Sequence, residues 1–146
     1  MMRRAALAAC AFLLLCARPA GAWVMPNDID LICTLRHRTT SDLNSLKKLP
    51  DSVKAYVSGA IGRMADRDEA FNSTDVIEKP APATRFIRAG RIGEYWFLWY
   101  ERGGIAYSKH IVVLHLDLEL TPVADKTYGS QDDPCPITDA LIDRQR

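Results

Sequence analysis

Two residues of this 146-residue chain stand at a spacing that chemistry can use. Ser108 and His110 lie two apart in a run rich in β-branched residues, and on a strand residues i and i+2 project from one face. A hydroxyl and an imidazole placed in this way are a nucleophile and its base, the minimum for acyl transfer. No carboxylate on that face is an obvious orienter for the imidazole. A small hydrolase using Ser108 and His110 is therefore an alternative reading, not the leading one.

The other constellations exclude more than they propose. His37, His110 and His115 are the histidines of the chain. Five residues separate the last two, so on a strand they point to opposite faces and cannot share a metal ion. Asp117 and Glu119 share a face, and Asp132 and Asp133 are adjacent, but acids near a chain end are expected to be solvated surface instead of a calcium site. The chain contains no C-x-x-C, P-loop, G-x-G-x-x-G or H-E-x-x-H pattern. No metal and no cofactor is expected. Asn72-Ser73-Thr74 fits a glycosylation acceptor, which matters only if the chain is made in a eukaryote.

Residues 1–22 read as a cleaved secretory signal. Arg3 and Arg4 precede an uncharged run from Ala5 to Ala17, and Ala20-Gly21-Ala22 offers the small residues of a cleavage site between Ala22 and Trp23. As a helix, the apolar run is too short to cross the hydrocarbon core, which takes about 20 residues. No long apolar run follows it. Twin-arginine export and lipidation at Cys16 are weaker alternatives, because no Phe-Leu pair follows the arginines and the bulky Leu15 precedes the cysteine. The expected product is an exported, periplasmic or secreted protein without a transmembrane helix.

Removing the signal changes the charge and the cysteine count. The formal +1 includes Arg3, Arg4 and Arg18; without them 16 Lys and Arg face 18 Asp and Glu, a net −2. Nucleic-acid binding, which needs a concentrated cationic face, loses its global support. Residues 84–109 carry a surplus of basic side chains and residues 117–146 a surplus of acidic ones, so an acidic C-terminal tail (about 121–146) is expected to pack near a basic sheet. Cys10 and Cys16 leave with the signal. Cys33 and Cys135 remain, and an even pair in an exported chain reads as a disulfide.

The elements that must position these residues follow from periodicity. Residues 29–38 alternate and predict a leading strand. Residues 41–71 predict helix in two pieces, the first capped by Ser41 or Asp42 and the second, after Pro50, by Asp51 or Ser52. In the second piece Val53, Tyr56, Val57, Ala60, Ile61 and Met64 form one apolar stripe. Residues 72–83 read as a loop. Thr84–Ala89, Glu94–Glu101 and Ile105–Leu120 are rich in aromatic and β-branched residues and predict an antiparallel meander. The fold expected is one small α+β domain over residues 23–146, a helical segment packed on an antiparallel meander of three to four strands.

Register decides which side chains meet. With Gly103-Gly104 as a two-residue turn, Trp99 opposes Ser108, Phe97 opposes His110 and Tyr95 opposes Val112; with residues 90–93 as a four-residue turn, Phe86 opposes Phe97 and Arg88 opposes Tyr95. One face then carries Arg88, Tyr95, Trp99, Ser108 and His110 together. An odd-length turn would scramble this partition. Both faces look apolar, so each needs a cover. The leading functional expectation is a non-enzymatic binding protein whose aromatic and basic face, through those five residues, contacts a protein or an apolar anionic ligand. A subunit that buries its second face by self-association is the remaining alternative.

Overall fold

A computed structural model of the protein describes residues 33–76, 80–117, 120–129 and 131–146. Residues 1–22, the Ala22–Trp23 cleavage point and the first part of the predicted leading strand lie outside the described residues. From Cys33 to Arg38 the chain is irregular, so no strand occupies that stretch.

The domain is α+β, as the alternation and the helical stripe imply, with more strands than expected. The strands are β1 (Ser41–Leu43), β2 (Met64–Ala65), β3 (Thr84–Ile92), β4 (Tyr95–Arg102), β5 (Ser108–His115) and β6 (Thr121–Tyr128). They form one sheet in which β3, β4, β5 and β6 follow in order as an antiparallel meander. The outer edge of β3 is shared: β1 pairs antiparallel with residues 89–91, and β2 pairs parallel with Thr84 and Arg85. The expected acidic tail is therefore not a tail. Its first part is the edge strand β6, whose Pro122, Asp125 and Lys126 are residues that an edge tolerates and that discourage pairing with another chain. Its second part is helix α2, described below.

The helical segment is shorter than its stripe predicted. Ser45 caps a single 3₁₀ turn (Leu46–Lys48), so Ser41 and Asp42 sit in β1 and not at a helix start. Helix α1 (Asp51–Tyr56) follows Pro50, widens into a π-helical turn (Val57–Ile61), and stops at Gly62. Gly62 has a positive φ, which only glycine adopts cheaply. Leu49, Val53 and Val57 from this segment pack with Met64 of β2 against Phe86, Ala89, Trp96, Leu98, Tyr100, Val112 and Leu114 of the sheet and Leu120 just before β6.

The opposite face is covered from the C-terminus. Helix α2 (Pro134–Asp143) starts at Asp133, whose side chain accepts from the Cys135 N–H at 2.9 Å. Pro134 stands in the first turn, where its missing N–H costs nothing. Together with Leu35, the helix residues Cys135 and Ile142 pack on Ile87, Ile92, Phe97, Trp99, Ile111, Val113 and Tyr128. Cys33 and Cys135 are paired as a disulfide with Cα atoms 5.9 Å apart. Asp139 of α2 accepts from the backbone N–H groups of Arg36 (2.8 Å) and His37 (3.3 Å), and His37 Nε2 lies 2.8 Å from Asp143. Both apolar faces are thus covered within one chain, which removes the reason for invoking self-association to cover them.

The turns correct the predicted register. The β3–β4 turn is Gly93-Glu94, and Gly93 takes the positive φ that such a tight turn requires. Ile92 therefore opposes Tyr95, and Gly90 lies inside β3 opposite Phe97. A bulge at Ile87 places Ile87 and Arg88 on the same side. The β4–β5 turn holds five residues, 103–107: Arg102 opposes Ser108, Tyr100 opposes His110, Trp99 opposes Ile111 and Tyr95 opposes His115. Every side chain of β5 therefore lies on the face opposite to the one expected.

Candidate functional site

The five residues expected to share a face are divided by this register. Arg88, Tyr95 and Trp99 lie on the face under α2; Ser108 and His110 lie on the face under α1. Trp99 is fully enclosed, and its indole Nε1 donates to Thr138 Oγ1 of α2. Arg88 spreads over the Trp99 ring at 5.1 Å and donates to both carboxylate oxygens of Asp42, at 2.8 and 2.7 Å. The hydroxyl of half-buried Tyr95 donates to the Gln145 carbonyl at 2.8 Å. The aromatic and basic face expected to bind a ligand is occupied by the chain's own C-terminal helix, with Arg88 held by Asp42.

Ser108 and His110 instead meet polar groups from three other elements. Cross-strand pairing puts Tyr100 on one side of His110 and Thr127 on the other, with Asp125 one same-face position further along β6. Ser108 Oγ lies 2.9 Å from His110 Nε2. The other ring nitrogen, Nδ1, faces Thr127 Oγ1 at 3.5 Å and Asp125 Oδ1 at 3.9 Å. Tyr100 stacks on the imidazole with ring centroids 4.8 Å apart and planes 9° apart. Sequence reading found no orienting carboxylate because Asp125 reaches His110 only through the pairing of β5 with β6.

The electrostatics of this cluster have one dominant cause. Burial pushes the His110 imidazole below its ordinary 6.5; the nearby Asp125 carboxylate pulls the other way and Arg102 adds to the lowering. Burial and the same Asp125 charge raise the phenols of Tyr100 and, on α1, of Tyr56. Burial therefore favours the neutral form of the ring. In the tautomer with its proton on Nδ1, Nε2 is free to accept the Ser108 hydroxyl proton.

On the α2 face a second polar group runs across the sheet. Arg85, Glu101, Lys109 and Tyr128 form one row from β3 to β6, all buried. Arg85 Nε donates to Glu101 at 2.6 Å, the Tyr107 hydroxyl donates to the other Glu101 oxygen, Phe71 stacks on the Arg85 guanidinium at 4.3 Å, and Lys109 Nζ stands 5.7 Å from the Tyr128 ring.

Beyond this row, at the end of the sheet where β3 begins and β4 ends, the loops come together. Asn72 N–H donates to Pro82 O and Gly103 N–H donates to Ala83 O. They border a hollow of about 670 Å³ whose walls include Arg63, Pro80, Pro82 and Gly104. Ile105, in the β4–β5 turn, is 95% exposed; Val76 and Tyr107 are also exposed apolar residues on these loops.

Among the described residues, Cys33, Asp133 and Cys135 have the ligand atoms for a metal within reach of one another, but the two sulfurs are joined in the disulfide and are not thiolate ligands. No helix among the described residues is long and apolar enough to cross a membrane. Comparison of the chain with models of known protein families, with curated proteins and with solved structures found no match in any of the three.

Proposed function

We propose that the protein is a small exported binding domain that holds a protein partner at the loop end of its sheet. Export is supported by the residue pattern of 1–22 and by the Cys33–Cys135 pair, a bond that persists in oxidising compartments. The observation that carries the binding role is Ile105, which is 95% exposed on its turn. Leaving such a side chain in water costs the isolated protein the roughly 1.5–3 kcal/mol that its burial contributes. The turn beneath it is anchored, because Tyr107 is tied to the buried Glu101–Arg85 pair and Gly103 to the Ala83 carbonyl. An exposed apolar anchor on a rigid base is what a protein interface uses as its centre. The face first expected to bind, around Trp99, gives this role to the loop end.

The test compares immobilised wild-type protein with Ile105→Asp and with Leu116→Asp, a substitution at an exposed apolar residue just after β5. Partner retained by wild type and Leu116→Asp and lost from Ile105→Asp supports the reading. Retention by all three, or by none, rejects the loop end as the contact.

A further inference from the structure

We propose that Ser108, His110 and Asp125 form a nucleophilic site that takes up the acyl group of a small activated ester. The geometry supplies the required order. Ser108 Oγ is 2.9 Å from His110 Nε2, and the opposite ring nitrogen faces the Asp125 carboxylate at 3.9 Å. Nucleophile and base occupy successive same-face positions of β5, and the orienting acid stands diagonally across on β6, opposite Val112. The 3.9 Å separation is longer than a hydrogen bond; in sites without substrate such contacts are commonly loose and tighten when the imidazolium forms.

Two further features fit the assignment. The Tyr100 ring, stacked at 4.8 Å, fixes the plane of the imidazole, so Nε2 stays aimed at Ser108. The groups that face His110 are Tyr100 and Arg102 from β4, Ser108 on its own strand, Asp125 and Thr127 from β6, and Tyr56 beyond Tyr100 on α1. Partial burial of the ring favours its neutral, proton-accepting form. Arg102 is the cross-strand partner of Ser108, and its positive charge acts on the site through His110.

The step balances without a cofactor. Ser108 Oγ forms a bond to the acyl carbon while its proton passes to His110 Nε2. The bond from that carbon to the leaving alcohol or phenol oxygen breaks, and the imidazolium returns the proton to the leaving oxygen. Water then attacks the acyl-serine by the same route, releasing the carboxylic acid and restoring the hydroxyl. Ester and water become acid and alcohol, with no change in oxidation state. Ser108 is the first residue of β5, half-buried directly after the exposed turn.

An alkyl fluorophosphonate tests the site on the folded, disulfide-paired protein. The Ser108 oxygen would bond to phosphorus as fluoride leaves, and the proton would pass to His110. Intact-mass measurement should show one adduct, and peptide mapping should place it on Ser108. Ser108→Ala should remove it and His110→Gln should slow it at least about 100-fold. Asp125→Asn should slow it less. The rate for wild type should rise with pH through a midpoint below 6.5. Mapping of the wild-type adduct decides the site even if Ser108→Ala fails to fold. Absence of an adduct on Ser108 of the wild-type protein, or labelling of a folded His110→Gln at the wild-type rate, overturns the proposal.

Discussion

The indole Nε1 of Trp99 donates to Thr138 Oγ1 at 2.9 Å, and the Thr138 hydroxyl in turn donates to the Pro134 carbonyl at 2.8 Å. Both residues are fully enclosed, so this one hydroxyl satisfies the only polar atom of the Trp99 side chain and locks α2 onto the sheet. Thr138→Val keeps the shape and strands the indole N–H in the core. The expected loss is about 1–3 kcal/mol, seen as a lower urea midpoint with an unchanged slope.

The Cys33–Cys135 bond holds α2 and the 33–37 segment together over a separation of 102 residues. Protein recovered from an oxidising compartment should contain no free thiol by non-reducing mass spectrometry. The double variant Cys33→Ser, Cys135→Ser should lose about 2–5 kcal/mol of stability in thermal unfolding.

Glu101 is buried between Arg85 and Tyr107, so removing its charge takes away the counter-ion that the Arg85 guanidinium has among the described residues. Glu101→Gln should cost about 3–5 kcal/mol. Removal of an exposed pair such as Lys47–Glu69 should change stability by less than about 1 kcal/mol. Urea titration of the two variants side by side measures the contrast.

Stability should fall as pH drops from 6.5 because of His110. Its folded value lies below the unfolded one, so the unfolded chain takes up the proton first and acid favours unfolding. The stabilisation is complete above 6.5 and is lost between 6.5 and the depressed folded value. A second acid-sensitive point is Asp66. Burial would raise its carboxyl, but donation from Ser45 Oγ, Leu46 N–H and Arg67 N–H outweighs burial and holds it below 3.8. Its contribution is present above 3.8 and disappears at lower pH. In urea unfolding at pH 7.5 and 5.5, His110→Gln should flatten the difference that wild type shows.

Gly103→Ala should be more harmful than Gly104→Ala, although both glycines sit in the same turn. A Cβ on Gly103 would overlap the Asn72 carbonyl, whereas one on Gly104 meets open space and only the cost of its positive φ. In thermal unfolding the first should lose more than about 1–3 kcal/mol and the second about 1 kcal/mol.

These glycines also explain how the sequence was legible in its elements and illegible in its register. Alternation and aromatic content located β3, β4 and β5, and the cysteine count paired Cys33 with Cys135. Gly90, however, read as a turn residue when it lies inside β3 for close approach: a Cβ there would stand 2.6 Å from the Phe97 ring and from the Ser41 carbonyl. Gly103-Gly104 read as a complete two-residue turn when the turn holds five residues. The first turn was shorter than expected and the second longer, and Ser108 and His110 changed faces with β5. β6 was hidden because Pro122, Asp125 and Lys126 look unlike a strand, and Asp125 was hidden with it. Helix α2 did carry a readable start in Asp133-Pro134 and a stripe at Cys135, Thr138 and Ile142, which the acidic character of the segment obscured. The Ser108–His110–Asp125 order needs the β5–β6 register, which a single sequence does not supply.

The link between Cys33 and Cys135 closes the chain into a covalent ring that includes every strand of the sheet. A protease that cuts beside exposed Val76 or Ile105 therefore opens the ring without dividing the molecule. The nicked protein would run as one species on a non-reducing gel and as two fragments after reduction. For a domain exported as proposed, which meets proteases with its loops outermost, this topology turns a severed backbone into a survivable lesion.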